Sequence, residues 1–555
     1  MAIEFGPPST ADYPTESRPR RLERAHWEKD DAAALVDLTI GGLLADRART
    51  YPDRVAIVGV RHGSGDHARI TYAELFDQAC RVATALSALV ERGSHVAIWA
   101  PNVIEWPIVQ YGAALAGMVL VALNPELRAP ELEFALAHSG ASVLLHADTN
   151  RDYQMSDVVA KVRTRLPGLR CVSLSETEAW RSSTIDEHVV ANAPEDADDV
   201  VMLQYTSGTT GRPKAVLLKH RSLVNVAKLT LEAADTPPAA VCLNPLPMFH
   251  TAGCVVATLG PLWVGGTVIL IDRFSPGPVL DALREEEASV LFYVPAVLGA
   301  LLECQAGSAD PPPRLRTVLG GASNVPAALI ENAEKVFGAT VINVFGQTEL
   351  APVLSATRPG DSREDQLTTV GRPLPQVDCK VVDPFSNATL AIGEQGEVCA
   401  RGYQQFVGYL HDPQATSDVV DEDGFVHTGD LGSMDSRGYL TITGRLKELI
   451  IRGGENIAPA EIESVLAEHE SIVQTSVLGL PDDRLGEIVA AVIRVRGGVQ
   501  SGLGARLVEH VRARLAPFKV PARWFVADQM PVTPTGKIRK FELRDAILRG
   551  ELCEL

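Results

Sequence analysis

The segment at residues 205–214, YTSGTTGRPK, concentrates groups that bind anions. Its hydroxyl side chains are Thr206, Ser207, Thr209 and Thr210, its glycines are Gly208 and Gly211, and it ends at Lys214. A glycine-rich loop after a strand can direct successive N–H groups at phosphate oxygens, and hydroxyls add further donors. Lys214 would add a mobile positive charge. The segment therefore predicts a loop that binds phosphate groups.

This loop differs from the P-loop of nucleotide-binding proteins. In the P-loop pattern G-x-x-x-x-G-K-[ST], lysine follows the second glycine and a hydroxyl residue follows the lysine. Here Arg212 follows Gly211, and Ala215 follows the lysine. Taken alone, the segment has an alternative interpretation as a polar surface loop.

The elements around the loop alternate between helix and strand patterns. Residues 71–93 begin with a capping box, Thr71 and Glu74, continue with one apolar helical stripe and end at Gly93. Apolar strand patterns occupy residues 95–100, 118–123, 142–146 and 199–205. This order predicts an α/β fold in which helices cover both faces of mainly parallel sheets.

A domain boundary is predicted late in the chain. A strand pattern beginning at Gly438 runs into a charged turn at Arg445–Glu448, and about 110 residues of further strand and helix patterns follow. We expect a loosely ordered leader over residues 1–35, a large N-terminal domain over 36–446 that includes a β-subdomain, and a small mobile α+β lid over 447–555.

Composition limits the classes of partner. The chain has 555 residues, 46% of them apolar, and a formal net charge of −19. A surface of that charge repels phosphate backbones, which argues against nucleic acid but not against a nucleotide in one local pocket. The N-terminal residues contain no apolar signal segment. The apolar stretches Tyr111–Leu123 and Gly253–Asp272 are short or interrupted by glycine, so no integral membrane segment is predicted.

The cysteines indicate a reducing environment. All eight are scattered and none forms a C-x-x-C pair. This pattern favours free thiols in the cytoplasm over a disulfide framework or a zinc site.

Several further motifs occur in a fixed order. They are PMFHTAG (247–253), LGGAS (319–323), VFGQTE (344–349), GEVCARG (396–402), HTGD (427–430), GRLKELIIRGGENIAPAEIE (444–463) and PTGKIRK (534–540). With the loop at 205–214, this set resembles the adenylate-forming superfamily, in its acyl-CoA synthetase or acid:CoA ligase branch. The resemblance extends from about Ala45 to Arg544.

The resemblance implies two half-reactions that use ATP, Mg²⁺ and coenzyme A. A carboxylate attacks the α-phosphorus of ATP to give an acyl-AMP, and a thiol then displaces AMP. The phosphate loop would be formed by Thr206, Ser207, Gly208, Thr209, Thr210 and Lys214. Glu349 would direct Mg²⁺, and the Thr348 hydroxyl would lie beside the α-phosphate. The alternative for Glu349 is a surface glutamate after a strand.

The same resemblance assigns the nucleoside. Asp430 would accept both ribose hydroxyls with support from Arg445, although residues 427–440 also have the pattern of a hairpin with turn residues. Adenine would stack on Phe345, where the family usually has tyrosine. The base and the acyl tunnel would be lined by Gly320, Gly321, Ala322, Asn343, Gly346 and Gln347. The alternative for the paired glycines is a tight turn.

Two further residues are predicted to act from the lid. Lys537 would bridge the carboxylate and the α-phosphate in the first step; its alternative interpretation is a solvated charged face with Arg539 and Lys540. Lys447 would be the hinge about which the lid rotates for the second step. Gly454 would then leave room for the pantetheine arm.

Four positions bear on the acid. His250 stands where amino-acid-activating relatives carry aspartate, and it resembles the family's aromatic gate beside the acyl carbon. Gly346 stands where acetate-specific relatives carry tryptophan, and Ala252 stands where luciferase-like relatives carry an aromatic residue. Cys254 replaces the gating tryptophan of long-chain enzymes. These differences predict a medium- or long-chain, aryl or bulky alicyclic acid.

Two other functions fit the same motifs. An adenylating enzyme that passes its acyl group to a carrier protein or a second enzyme would have the same N-terminal chemistry. A catalytically inactive nucleotide- or acyl-binding protein would predict the loss of Lys537, Glu349 or Asp430, and all three are present. The sequence allows a homodimer without indicating one.

Overall fold

The computed structural model describes residues 20–31, 33–206, 213–321, 325–452, 455–482, 484–533 and 537–555. Two large sheets form the N-terminal part of the chain. In the first, five neighbouring strands are parallel, and two antiparallel strands extend one edge. Its strands, in sheet order, are Gly408–Tyr409, Lys214–Lys219, Val200–Thr206, Val119–Leu123, His95–Trp99, Val143–His146 and Arg170–Ser173.

The second sheet has nine strands, of which the six central ones are parallel. Its strands, in sheet order, are Arg372–Pro373, Ser355–Ala356, Thr340–Phe345, Thr317–Gly321, Val290–Tyr293, Val241–Asn244, Thr267–Leu270, Val55–Val60 and His67–Thr71. Parallel strands require crossover connections, and helices provide most of them here. The predicted α/β class is therefore confirmed.

Helices pack on these sheets. They are Ile40–Thr50, Tyr72–Leu89, Glu105–Leu115, Ala129–Ser139, Met155–Arg165, Thr177–Trp180, Glu187–Ala191, His220–Ala233, Ala257–Trp263, Pro276–Glu285, Pro295–Ala306, Ala327–Phe337, Arg363–Thr368 and Pro413–Ser417, with a π-turn at Ala252–Val256 and a two-stranded ribbon of Thr149–Asn150 and Tyr153–Gln154. Among the described residues, no helix is long and apolar enough to cross a membrane.

The capping box predicted at Thr71 is present. The Glu74 N–H donates to the Thr71 hydroxyl at 3.2 Å, and the Thr71 N–H donates to the Glu74 carboxylate at 2.8 Å. The predicted end of this helix at Gly93 is wrong. The helix ends at Leu89, and Gly93, whose φ is +84°, instead turns the chain toward the strand His95–Trp99.

An antiparallel sheet forms the predicted β-subdomain. Its strands, in sheet order, are His26–Trp27, Val377–Val382, Gly396–Gly402, Val426–Met434 and Leu440–Arg445. The first of them corrects the expectation of a loosely ordered leader for residues 24–27. Trp27 is buried because its indole packs against Gly438, and His26 contacts Asp378 at 2.9 Å. Residues 1–19 lie outside the described part of the chain.

The C-terminal residues build a sheet and core of their own. Its strands are Ile450–Arg452, Glu455–Ile457, Ile472–Asp482, Gly486–Val495, Arg523–Val526 and Cys553–Glu554, and its helices are Pro459–Ala467, Leu503–Arg512 and Lys540–Leu548. Its apolar clusters draw only on residues after 449. Lys447 lies in the short 3₁₀ turn Leu446–Glu448 that precedes this sheet.

All eight cysteines are free, as their scattered positions predicted. Five of them are buried, and burial raises the pKa of the Cys80 thiol to about 11. Buried thiols of this kind act as small apolar side chains in the core.

Candidate active site

Asp430 and Arg445 face each other where one β-hairpin ends. The strands Val426–Met434 and Leu440–Arg445 pair in a register that sets the two residues opposite one another, and Arg445 Nε lies 2.8 Å from Asp430 Oδ1. Burial raises the pKa of Asp430, while the charges of Arg445 and Lys537 oppose that rise. The hairpin interpretation of this segment was therefore correct, and the hairpin itself presents the carboxylate.

A second carboxylate holds the turn that leads to Asp430. Glu397 Oε1 accepts the Gly429 N–H at 2.9 Å, and Glu397 Oε2 contacts His427 Nδ1 at 2.8 Å. This contact raises the pKa of His427. Cys399 forms a cluster with these two residues: its Sγ, a carboxylate oxygen of Glu397 and a ring nitrogen of His427 lie within 4.8 Å of one another. Through its contacts with Gly429 and His427, Glu397 holds the segment that leads to Asp430, and we call this arrangement the brace behind Asp430.

Lys537 reaches the same region from the C-terminal part of the chain. Its backbone closes a loop, because its N–H donates to the Thr533 hydroxyl at 3.0 Å and its carbonyl accepts the Thr533 N–H at 2.7 Å. The residue keeps an exposed surface, yet desolvation and the charge of Arg445 lower the pKa of its ammonium. The carboxylates of Asp430, Glu448 and Glu349 act in the opposite direction.

His250 is the other group that senses the charge of Lys537. It lies before the π-turn, where its carbonyl accepts the N–H groups of Gly253 and Cys254 at 2.9 and 3.0 Å. Burial, and secondarily the charge of Lys537, lowers the pKa of His250 to about 4. The imidazole is therefore neutral at physiological pH.

Glu349 lies in the 3₁₀ turn Thr348–Leu350, directly after the strand Thr340–Phe345 and the GQ step. Thr348 is buried, and the Glu349 carbonyl accepts the Phe406 N–H at 2.9 Å. The Tyr409 hydroxyl donates to Glu349 Oε1 at 2.6 Å. Among the described residues, none donates a hydrogen bond to Glu349 Oε2. A carboxylate oxygen of this kind is the type of ligand that a hard cation such as Mg²⁺ prefers.

Lys214 approaches the same tyrosine. Its ammonium lies 4.5 Å from the centroid of the Tyr409 ring. Thr206 and Lys214 are cross-strand neighbours at the base of the predicted phosphate loop. The sequence-predicted residues Ser207, Gly208, Thr209, Thr210, Ala322 and Gly454 lie outside the described residues.

The predicted nucleoside residues lie at or directly after the carboxyl ends of two parallel strands. Gly320 and Asn343 are register partners in Thr317–Gly321 and Thr340–Phe345, and Phe345, Gly346 and Gln347 continue from the second strand. The alternative interpretation, a tight turn, is wrong for Gly320, which lies within the strand Thr317–Gly321. A Cβ there would lie 2.0 Å from the Tyr293 carbonyl oxygen, so the approach of the next strand requires glycine.

Sequence reasoning did not assign Tyr409, Glu397 or His427. Tyr409 is 60 positions from Glu349, and Glu397 is 32 positions from Gly429. Glu397 and His427 belong to the recognised segments GEVCARG and HTGD, so their motifs carried a signal without a role. Tyr409 belongs to none of the recognised segments.

Comparison with known proteins gives matches along most of the chain. The family of AMP-binding enzymes matches residues 44–410, and the C-terminal domain of AMP-binding enzymes matches residues 461–537. The protein YngI of Bacillus subtilis (strain 168) is 36% identical over 543 residues, which covers 92% of this chain and 98% of that protein. The human mitochondrial medium-chain acyl-CoA ligase ACSF2 is 30% identical, with 92% of this chain and 88% of ACSF2 covered.

A solved structure has the same fold. It is the o-succinylbenzoate CoA synthetase MenE from Bacillus subtilis, in complex with the acyl-adenylate intermediate OSB-AMP. The two chains are 29% identical with a TM-score of 0.77, and the match covers 91% of this chain and 98% of MenE.

Proposed function

The chain belongs to the adenylate-forming family of AMP-binding enzymes, and we propose that it is an ATP-dependent acid:CoA ligase for a carboxylic acid larger than propionate. The observation that carries this proposal is a convergence of charges. Lys537, from the C-terminal part, acts electrostatically on Asp430 and His250, and the Glu349 carboxylate acts on Lys537; these three residues come from separate N-terminal segments. The acyl-CoA ligase relative and the acyl-adenylate complex of a CoA synthetase agree with it.

In the first step, a carboxylate oxygen of the acid attacks the α-phosphorus of ATP. A bond forms between that oxygen and phosphorus, the bond to the β-phosphate bridging oxygen breaks, and pyrophosphate leaves. Lys537 is the group suited to hold both anions, because an ammonium between them offsets their repulsion as charge moves onto the leaving group. Asp430, held by Arg445, orients the ribose.

Glu349 is the residue suited to Mg²⁺. Together with phosphate oxygens it would hold the cation, which neutralises charge on the leaving pyrophosphate when bound. Lys214 and the hydroxyls of the phosphate loop would contact the same phosphates. Under these assignments Lys214 and Lys537 both contact the triphosphate, and Lys537 also contacts the acid.

His250 has a role set by its protonation state. A pKa of about 4 makes it a weak base and prevents it from being a cation at neutral pH. We assign it to the wall beside the acyl carbon, where a neutral, planar side chain shapes the entry of the acid. Gly346, Ala252 and Cys254 leave this side without a large aromatic block.

In the second step, the thiol of coenzyme A attacks the acyl carbon of the acyl-AMP. A carbon–sulfur bond forms, the bond between the acyl carbon and the phosphate oxygen breaks, the thiol proton is released to solvent, and AMP leaves with the electron pair of its oxygen. For this step the C-terminal lid would rotate, so that Lys537 leaves the site and the tunnel for the thiol forms. We assign the hinge of this rotation to Lys447, in the turn between the two parts of the chain. Medium-chain, aryl and alicyclic acids are the substrate classes to test.

The test is an end-point assay by mass spectrometry. Purified protein receives ATP, Mg²⁺ and a panel of aliphatic, aryl and polycyclic acids, with and without coenzyme A, and both acyl-AMP and acyl-CoA are quantified. Formation of acyl-CoA for some acids supports the ligase and identifies the substrate class. Acyl-AMP that accumulates despite coenzyme A would replace this proposal with an enzyme that serves a carrier protein. No adenylate from any acid would reject both.

A further inference from the structure

We propose that Tyr409 is a positioning residue that holds Glu349 and Lys214 in the arrangement needed for metal-bound ATP. This inference rests on the proposed function and adds a residue to it. Tyr409 belongs to a two-residue strand, Gly408–Tyr409, at the edge of the first sheet. From there its side chain contacts two predicted site residues that come from different parts of the chain.

The hydroxyl fixes the carboxylate. It donates to Glu349 Oε1 at 2.6 Å, a short hydrogen bond to an ionised acceptor, and Tyr409 itself is buried. Burial and the charge of Glu349 raise the pKa of Tyr409, so the phenol remains a donor across the physiological range. A carboxylate with one oxygen occupied in this way presents the other oxygen in a defined direction, as outer-shell partners do for metal ligands.

The ring fixes the lysine. The Lys214 ammonium lies 4.5 Å from the centroid of the Tyr409 ring, within the range of cation–π attraction. The stem of a lysine has four rotatable bonds, so a ring face restricts where its charge can lie. The ammonium is thereby kept beside the same tyrosine whose hydroxyl binds Glu349.

The backbone around Tyr409 explains why the side chain is rigid. Tyr409 is in register with Val216, two residues after Lys214, and its N–H donates to the Thr416 hydroxyl at 2.9 Å. The Phe406 ring packs against it edge-on, with centroids 5.0 Å apart, and the Phe406 N–H binds the Glu349 carbonyl. One tyrosine therefore ties the strand after the phosphate loop to the turn that carries Glu349.

Two substitutions separate the two contacts. Tyr409→Phe removes the hydroxyl and keeps the ring, whereas Tyr409→Leu removes both. Tyr403→Phe is the matched control, because the Tyr403 hydroxyl is buried and has no hydrogen-bond partner among the described residues. ATP binding is measured by calorimetry over a series of Mg²⁺ concentrations with no acid present, and adenylation is measured in parallel.

For Tyr409→Phe we expect the Mg²⁺ concentration at half-maximal ATP binding to rise about ten-fold, with ATP affinity at saturating Mg²⁺ little changed. For Tyr409→Leu we expect a further loss of about three-fold in ATP affinity at saturating Mg²⁺. Equal Mg²⁺ dependence in Tyr409→Phe, Tyr403→Phe and the original protein would overturn the inference. Failure of the original protein to bind ATP would instead count against the proposed function.

An independent observation points to a second site, and we infer that a polar cavity in the N-terminal part binds a small phosphate-class anion. The cavity has a volume of about 540 Å³, and none of its lining residues belongs to the candidate active site. Arg61, Arg181 and the hydroxyls of Ser64 and Thr177 line it. In a chain of net charge −19, two arginines facing one cavity form a local positive region to which an anion can bind.

The described residues compensate part of this positive charge, because the carboxylates of Glu105 and Asp77 oppose the lowering of the Arg181 pKa. The Arg181 side chain donates to the neutral Gln78 carbonyl at 2.8 Å, and its pKa is lowered by burial and by the charges of Arg61 and Arg81. Among the described residues, Arg61 interacts electrostatically with Glu105 and with Arg181. Glu105 also lines the cavity, but its carboxylate accepts the His62 N–H at 3.1 Å and burial raises its pKa.

The test is calorimetric titration with inorganic phosphate and with pyrophosphate. The ATP site is first filled with α,β-methylene-ATP at saturating Mg²⁺, so that only a second site can respond. We expect saturable binding that weakens at least ten-fold in Arg61→Gln and in Arg181→Gln. Arg69→Gln is the control, because Arg69 lies on a neighbouring depression and pairs with Glu286 at 2.6 Å. No binding, or equal binding in a folded Arg61→Gln variant, would overturn the inference.

Discussion

The Asp430 carboxylate and the Arg445 guanidinium meet at 2.8 Å because they are register partners at the end of one antiparallel strand pair. Asp430 is nearly inaccessible to solvent, at 4% exposure, so its charge depends on the nearby cations Arg445 and Lys537 for compensation. The pair therefore presents one fixed acceptor at the predicted ribose position. The carboxylate can then accept hydrogen bonds from a diol.

Asp430→Asn should weaken ATP binding about ten- to hundred-fold, because one acceptor and the charge behind both ribose hydrogen bonds are lost. The discriminating measurement compares ATP with its 2′-deoxy analogue in both proteins. The original protein should prefer ATP, and the variant should bind the two nucleotides nearly equally. A preference that survives the substitution would show that Asp430 does not contact the 2′-hydroxyl.

Lys537→Ala should slow adenylation. The expected loss of transition-state stabilisation is at least about 3 kcal/mol, as for the loss of one preorganised donor. The reaction of supplied acyl-AMP with coenzyme A should stay within a few-fold of the original rate, because Lys537 acts only in the first step. The two half-reactions are measured separately, by pyrophosphate release and by thioester formation. Lys519→Ala is a control within the same part of the chain, since Lys519 pairs with Glu461 at 2.6 Å. Equal losses in both half-reactions would contradict the assignment.

His250→Phe should leave the pH profile of adenylation unchanged between about pH 5.5 and 8. The reason is that burial lowers the pKa of His250 to about 4, so the imidazole stays neutral throughout this range. The measurement is kcat/KM for the acid as a function of pH in both proteins. A limb near pH 6 to 7 that disappears in the variant would mean that His250 titrates in the reaction. His250→Ala should raise the KM of the acid more than His250→Phe does, because only alanine removes the planar side chain beside the acyl carbon.

The brace behind Asp430 makes stability depend on pH. Hydrogen bonding to Glu397 raises the pKa of His427 above its unfolded value of about 6.5. A raised folded pKa means that the contribution is complete below the unfolded pKa and is lost as pH rises through the folded pKa. The difference in melting temperature between the original protein and His427→Gln should therefore shrink as pH rises above about 6.5. A constant difference from pH 5.5 to 9 would refute a charged His427–Glu397 pair.

The sequence predicted the α/β layering because strand and helix periods alternate regularly in residues 71–146 and the crossovers are short. It also predicted the hairpin that carries Asp430, because turn residues separate two strand patterns. It did not predict that Trp27 enters the β-subdomain, since Trp27 packs on Gly438, far along the chain. Nor did it assign Tyr409, since pairing of distant strands brings Lys214 to it, and Glu349 comes from a turn that follows a strand of the other large sheet.

Lys447→Pro should block thioester formation and spare adenylation. Lys447 is the middle residue of the turn Leu446–Glu448, between the strand that ends at Arg445 and the sheet that begins at Ile450. A rotation of the lid about this residue requires a change in its backbone angles, and proline fixes φ near −65°. Lys447→Ala removes the same side chain and leaves the backbone free, so it separates hinge restriction from lost side-chain contacts. The two half-reactions are measured on both variants. If Lys447→Pro forms thioester at the original rate, the second step does not require rotation here. If Lys447→Ala is as impaired as Lys447→Pro, the side chain and not the hinge is responsible.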